Sequence, residues 1–126
     1  MFSIFSKTKY IQDYIPAGYT DIHSHILFGI DDGAKTIDDS NTILKTLSNI
    51  GVERIITTPH ISKHIWNNTP EIIKTKYSEI CTDLSEITNK LSLSYAAEYL
   101  LDDDVMALAQ QKALLTYKDA HVLVEF

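Results

Sequence analysis

Two histidines stand one residue apart in Asp21-Ile22-His23-Ser24-His25. On an extended strand alternate side chains share a face. Asp21, His23 and His25 are therefore predicted to point one way, and Ile22, Ser24 and Ile26 the other. Two imidazoles so placed can grip one metal ion, with Asp21 beside them to orient a ring. Alone, the pair also reads as two surface histidines on an edge strand. Four more residues add to it: Asp32 in the loop Asp31-Asp32-Gly33, His60 after Pro59, Glu98 and Glu125. The set His23, His25, Asp32, His60, Glu98 and Glu125 mixes nitrogen and oxygen donors, which suits zinc, manganese or iron better than magnesium or copper(I). It exceeds what one ion usually takes from protein, so a cluster with a carboxylate bridging two ions is expected. Such clusters bind phosphate oxygens, generate hydroxide near neutral pH and stabilise a leaving oxygen.

The elements that must carry these residues alternate along the chain. Residues 19–26 read as strand one. Ile37, Ile43, Leu44, Leu47 and Ile50 recur at helical spacing, and Gly51 ends that helix. Residues 52–58 are apolar and β-branched, a strand buried on both faces that Pro59 terminates. Thr69 and Pro70 suit the N-cap and first position of a long second helix, with Ile73, Tyr77, Ile80, Leu84, Ile87 and Leu91 on one face. Residues 93–97 form strand three. Asp102-Asp103-Asp104 opens a third helix, whose buried side is predicted at Met106, Ala109 and Ala113. Residues 122–126 form strand four. The β-α-β-α-β-α-β order implies an α/β fold with a parallel sheet and right-handed crossovers, open or as half of a barrel. Each strand then carries a His or Glu near its carboxyl end, the edge where parallel α/β folds assemble their sites.

Composition narrows the function classes. The 126 residues suit one domain, and 44% hydrophobic with 22% charged residues suits a buried core. A net charge of −6 argues against nucleic-acid binding. The first apolar run is short and broken by Lys7 and Lys9, so it is no signal peptide, and membrane insertion is not expected. A single cysteine, Cys81, excludes a disulfide framework and a thiolate zinc site, and fits a cytoplasmic location. Residues 1–18 read as an N-terminal arm with a short helix near Tyr10 to Tyr14.

Five segments in order carry a family resemblance: Asp-Ile-His-Ser-His at 21–25, Gly-Ile-Asp-Asp-Gly-Ala at 29–34, Ile-Ile-Thr-Thr-Pro-His at 55–60, Ala-Ala-Glu-Tyr at 96–99 and Val-Leu-Val-Glu-Phe at 122–126. Together they resemble the polymerase-and-histidinol-phosphatase (PHP) family, most closely its tyrosine phosphatases of bacterial capsule and exopolysaccharide operons. The resemblance implies that residues 19–126 are the first part of a distorted PHP-type (TIM-like) barrel. It implies up to three divalent ions: His23, His25 and Glu98 for one, Asp32 and His60 for the second, bridging Glu98 with Glu125 for the third. The implied substrate is a phosphotyrosine protein, notably a polysaccharide-polymerisation tyrosine kinase, attacked directly by metal-bound hydroxide. No phosphocysteine forms in that scheme, which suits Cys81 as a mid-helix core residue.

The family pattern also supplies another His, a late Asp-x-His pair and phosphate-holding arginines, none of which this sequence contains. The resemblance therefore covers the N-terminal half of such an enzyme. A histidinol-phosphate type of phosphoesterase and a catalytically silent, truncated metal-binding domain are the alternatives. A four-stranded half-barrel would expose edge strands, so a homo-oligomer that covers them is expected. Arg54, the one arginine, lies at the start of strand two, away from the site. His64 reads as a loop histidine and His121 as structural or exposed. Trp66, in the loop after His60, is a candidate for a phosphotyrosine-binding wall with Tyr95 and Tyr99, whereas Tyr77 reads as core.

Overall fold

The computed structural model describes residues 8–126. The expectations for residues 1–7 lie outside that range. Within the arm, a 3-10 turn spans Ile11–Asp13 and is closed by reciprocal bonds between Tyr10 and Asp13. Arg54 anchors the arm's end. Its Nε donates to Thr20 Oγ1 at 3.0 Å and its Nη2 donates to the Gly18 carbonyl.

Six strand segments, all paired in parallel, make the sheet. They are β1 (Thr20–Asp21), β2 (Arg54–Thr57), β3 (His60–Ile61), β4 (Ser92–Tyr95), β5 (Glu98–Leu100) and β6 (Leu123–Glu125). β1-β2-β4 form one three-stranded unit and β3-β5-β6 the next. The second and third expected strands, 52–58 and 93–97, thus each resume past their expected ends, as β3 and β5. Strand two breaks at Thr58-Pro59, where proline has no N–H for the ladder, and strand three at Ala96-Ala97. Ala96 N donates to Thr57 O at 2.9 Å and Glu98 N to Pro59 O at 3.0 Å, so the two ribbons stay bonded across both breaks.

Strand one is shorter than the 19–26 expected. β1 pairs Thr20 with Arg54 and Asp21 with Ile55, and then the ladder stops. Two threonines take over the backbone beyond it. Thr57 Oγ1 accepts from Ile26 N at 3.1 Å and donates to Ser24 O at 2.8 Å. Thr58 N donates to Ser24 O at 2.7 Å. His23 and His25 therefore sit on an irregular segment, and pleat alternation does not orient them.

The helices follow their caps. α1 (Ile37–Asn49) opens on a reciprocal capping box between Thr36 and Asp39. Its end is a Schellman motif in which Gly51, at φ 96°, donates to Ser48 O while Val52 N reaches Leu47 O. α2 (Pro70–Asp83) has Thr69 as N-cap and Pro70 first. The expected continuation to Leu91 breaks at Leu84, and a short α3 (Ser85–Thr88) follows. The Thr88 hydroxyl lies within bonding range of the Cys81 and Leu84 carbonyls, which serves groups left open at the end of α2. α4 (Asp103–Gln110) is capped by Asp102, which accepts from Val105 N. It stops before the Ala113 that was expected inside it, because Lys112 turns left-handed at φ 55°. Its buried side is Val105 with Leu108, whereas Met106 and Ala109 are exposed.

Ile26, Leu27, Leu44, Ile55, Ile73, Ile80 and Tyr99 are buried completely or nearly so, and form the core between sheet and helices. Burying each such side chain contributes about 1.5–3 kcal/mol. That core holds the strand ends still, and the polar cluster described next stands on them.

Candidate metal centre

Register builds the site. His60 and Glu98 are direct partners on β3 and β5, so their side chains leave one face of the sheet side by side. Glu98 is 4% exposed and His60 8%. Glu98 Oε2 lies 3.1 Å from His23 Nε2, 3.2 Å from His25 Nε2 and 3.4 Å from His60 Nδ1. Three imidazoles thus converge on one carboxylate oxygen. Asp32 Oδ1 is 3.4 Å from His60 Nε2, and Glu125 Oε1 is 3.7 Å from His60 Nδ1.

All six residues singled out from the sequence are brought together. They form three overlapping triads whose ligand atoms lie within 4.8 Å of one another: His23-His25-Glu98, His25-Asp32-His60 and His60-Glu98-Glu125. Each triad could hold one cation. Shared members, His25, His60 and Glu98, join the three positions into a single cluster.

The carboxylate that orients an imidazole is Asp31, not the expected Asp21. Asp21 Oδ1 accepts from the His23 backbone N–H at 3.1 Å. Asp31 Oδ2 accepts from His25 Nδ1 at 2.8 Å and from His60 N at 3.0 Å, and Asp31 Oδ1 from Gly33 N at 2.9 Å. Burial alone would push the Asp31 carboxyl up. The three donors outweigh it and hold Asp31 below its ordinary range. The Asp31 hydrogen bond raises His25 above 6.5 against the opposing effect of burial, and the charges of Asp31, Glu98 and Asp32 add to the rise. A signal for Asp31 did exist in the sequence: an Asp two residues before a Gly can accept that glycine's N–H as an Asx turn. Asn68 is a further contributor that the sequence reading passed over. Its Nδ2 donates to Ile30 O at 2.9 Å and to His60 O at 2.8 Å, which ties the Asp32 loop to β3.

Gly33 is set by a close approach. A Cβ there would collide with the Cβ and carbonyl of His25. Ala34 N donates to that same carbonyl at 3.1 Å. The loop 25–34 therefore folds back flat on His25.

Of the aromatic residues considered for a substrate wall, Trp66 alone adjoins the cluster. Its ring lies parallel to His60 (9° between planes) at 6.3 Å between centroids. Two backbone bonds with Ser62 pin it. Tyr77 and Tyr95 pack on each other at 4.7 Å, and the Tyr77 hydroxyl donates to Leu93 O. Burial and neighbouring Cys81 push the Tyr77 pKa up to about 12. Tyr99 is buried, and its hydroxyl accepts from Leu115 N. His64 is exposed beside Asp104 at 4.0 Å, and exposed His121 contacts the Lys118 carbonyl. Among the described residues no helix is long and apolar enough to cross a membrane.

A parallel α/β sheet with this candidate metal cluster at its strand ends is the design of a PHP-type fold. The chain belongs to the capsular polysaccharide synthesis CpsB/CapC family, whose model matches residues 19–126. It is 31% identical over 107 residues to the tyrosine-protein phosphatase CpsB of Streptococcus pneumoniae, covering 84% of this chain and 44% of that protein. It is 32% identical over 108 residues to the putative tyrosine-protein phosphatase CapC of Staphylococcus aureus, covering 84% and 42%. The fold superposes with a TM-score of 0.75 and 27% identity on a chain from the crystal structures of YwqE from Bacillus subtilis and CpsB from Streptococcus pneumoniae, described there as unique metal-dependent tyrosine phosphatases. That match covers 86% of this chain and 44% of the other. The chain therefore spans less than half the length of these relatives.

Gly33→Ala is expected to destabilise the fold by about 1–3 kcal/mol and to displace the His25 ring. Denaturant unfolding checks the first part and the His25 imidazole resonances the second. A substitution that is neutral by both measures would remove the close-approach argument.

Proposed function

We propose that this chain carries the metal-binding part of a metal-dependent phosphoesterase acting on phosphotyrosine proteins in capsular or exopolysaccharide synthesis. The observation behind the reading is the convergence of three imidazoles on buried Glu98, flanked by Asp32 and Glu125. Its relatives' names point to the substrate class. Residues 19–126 are taken as the functional module and 1–18 as an arm.

The donor set fits divalent cations. A carboxylate buried among imidazole nitrogens at 3.1–3.4 Å, with two further carboxylates at the rim, suits manganese, iron or zinc, up to three ions. His23, His25 and Glu98 would hold one position, Asp32 and His60 the second, Glu98 and Glu125 the third. Bound ions would supply Lewis acidity toward a phosphoryl group and activate water. The protein's own part is geometric: Glu98 neutralises two positions at once, and the rigid strand ends fix their spacing. Trp66 supplies an aromatic face beside His60 for the substrate ring. A polysaccharide-polymerisation tyrosine kinase is the proposed protein substrate, and the cytoplasm the proposed site of action. The outer edges of β1 and β6 are proposed to be covered by a second copy; a monomer in light scattering would count against that assembly.

Turnover of an aryl phosphate and of a phosphotyrosyl peptide with added manganese is the direct test. His60→Ala and Glu98→Gln should each lower any turnover at least about 100-fold, the scale of losing a metal or its charge partner. Unchanged activity in either variant would sink the site assignment. Preference for histidinol phosphate over the peptide would point to the histidinol-phosphate type instead. Metal uptake without turnover on either substrate would leave a metal-binding domain.

Cation uptake should also follow pH with a defined sign. His25 must give up a proton before its Nε2 can bind, and Asp31 raises the pKa for that loss. Affinity should therefore fall as pH drops through a value above 6.5 and recover above it. Zinc titrations between about pH 6 and about pH 8 check this, and a flat profile across that span would contradict it.

A further inference from the structure

We infer that Asp31 is the positioning residue of this centre: one buried carboxylate sets the tautomer of His25 and holds His60 in register with it. The inference rests on the metal-site reading above but concerns a residue that is not itself in any of the three triads. The Asp31 side chain has no solvent exposure. An ionised carboxylate is only an acceptor, so each of its short contacts must come from an N–H. His25 Nδ1 at 2.8 Å must therefore carry a proton. That leaves Nε2, the nitrogen 3.2 Å from Glu98, as the one whose lone pair can face a cation. The same oxygen, Oδ2, takes the His60 backbone N–H at 3.0 Å. His25 lies on the irregular segment after β1 and His60 on β3, and their rings lie 4.6 Å apart between centroids. One atom thus ties the His25 ring to the His60 backbone, the two residues that adjoining triads share. Oδ1, occupied by Gly33 N, stops the carboxylate from rotating. Lys35 Nζ, bonded to the Asp31 carbonyl at 2.9 Å, holds the backbone behind it.

Asparagine cannot replace this residue. With its carbonyl toward His25 and His60, its amide hydrogens meet the Gly33 N–H. Flipped, they meet both His25 and His60. Either way a donor faces a donor inside a buried site, which leaves a buried N–H without an acceptor. Merely structural damage would look different, because Ser40 offers a matched comparison. Its buried hydroxyl, on α1, donates to Ile26 O at 2.6 Å, next to His25 in sequence but in contact with none of the six ligand side chains.

The test has two arms. Long-range proton–nitrogen spectra of the metal-free wild type, followed upward in pH until the His25 ring is neutral, should show it protonated on Nδ1. Protonation on Nε2 would overturn the assignment. Zinc titration of Asp31→Asn should give about 10- to 100-fold weaker binding, while Ser40→Ala, although less stable, should stay within about threefold of wild type. Equal affinity in Asp31→Asn and wild type, or an equal loss in both variants, would overturn the positioning role. If Asp31→Asn does not fold, the wild-type spectrum decides alone. A wild type that takes up no zinc would refute the metal-site reading, and the tautomer measurement would still decide on Asp31.

Discussion

A carboxylate at 4% exposure with three imidazole nitrogens around one of its oxygens is the constraint on which this structure turns. An ionised group taken out of water costs several kcal/mol unless opposite charge and hydrogen bonds meet it. Among the described residues Glu98 forms no ion pair with Lys or Arg, and its partners are histidines. Rings of this kind can answer a buried negative charge as imidazolium or share it with a cation, and metal ligation uses the second option. The core beneath, with Ile55, Tyr99 and Ile26, is what keeps the carboxylate from relaxing outward to water.

The two strand interruptions serve the same end. An unbroken strand from Arg54 through Ile61 would keep Thr57, Thr58, Pro59 and His60 in one pleat. The break at Pro59 lets the Thr57 and Thr58 polar groups turn to Ser24 and Ile26, while His60 rejoins a ladder one step on. Threonine side chains thereby replace ladder bonds for the segment that bears His23 and His25. The loop that bears Asp31 and Asp32 is then pressed on this segment by Gly33, and tied to β3 by Asn68. Four chain segments meet through polar contacts that the sheet alone would not supply.

Membership of the CpsB/CapC family and a chain less than half the length of its relatives put the cluster in context. The triads are assembled inside residues 23–125, on four consecutive strand ends. Their geometry can be judged within this chain, because the register and hydrogen bonds that create it are all local to it.

Much was legible from residue order alone. The alternation of β-branched runs and 3.6-residue periodicity marked the parallel α/β design, and Gly51, Thr69 and Asp102 marked helix ends, because caps are short-range chemistry. The six donors were legible because they lie at or just beyond the ends of the expected strands, and parallel strands deliver their carboxyl ends to one edge. What tertiary structure alone decided were the contacts between segments far apart in sequence. Strand one ended early because Thr57 and Thr58, more than thirty residues later, capture its backbone. The long second helix broke at Leu84, and α4 turned Val105 inward in place of Met106, because packing overrides periodicity at element ends. Asp21 and Asp31 are both aspartates near a histidine segment; the Asx turn onto Gly33 is a local mark of Asp31, but it does not say which acid meets an imidazole. His25 Nδ1 chose Asp31 because the loop folds back to bury that carboxylate, and burial decides which of two equivalent acids becomes a partner.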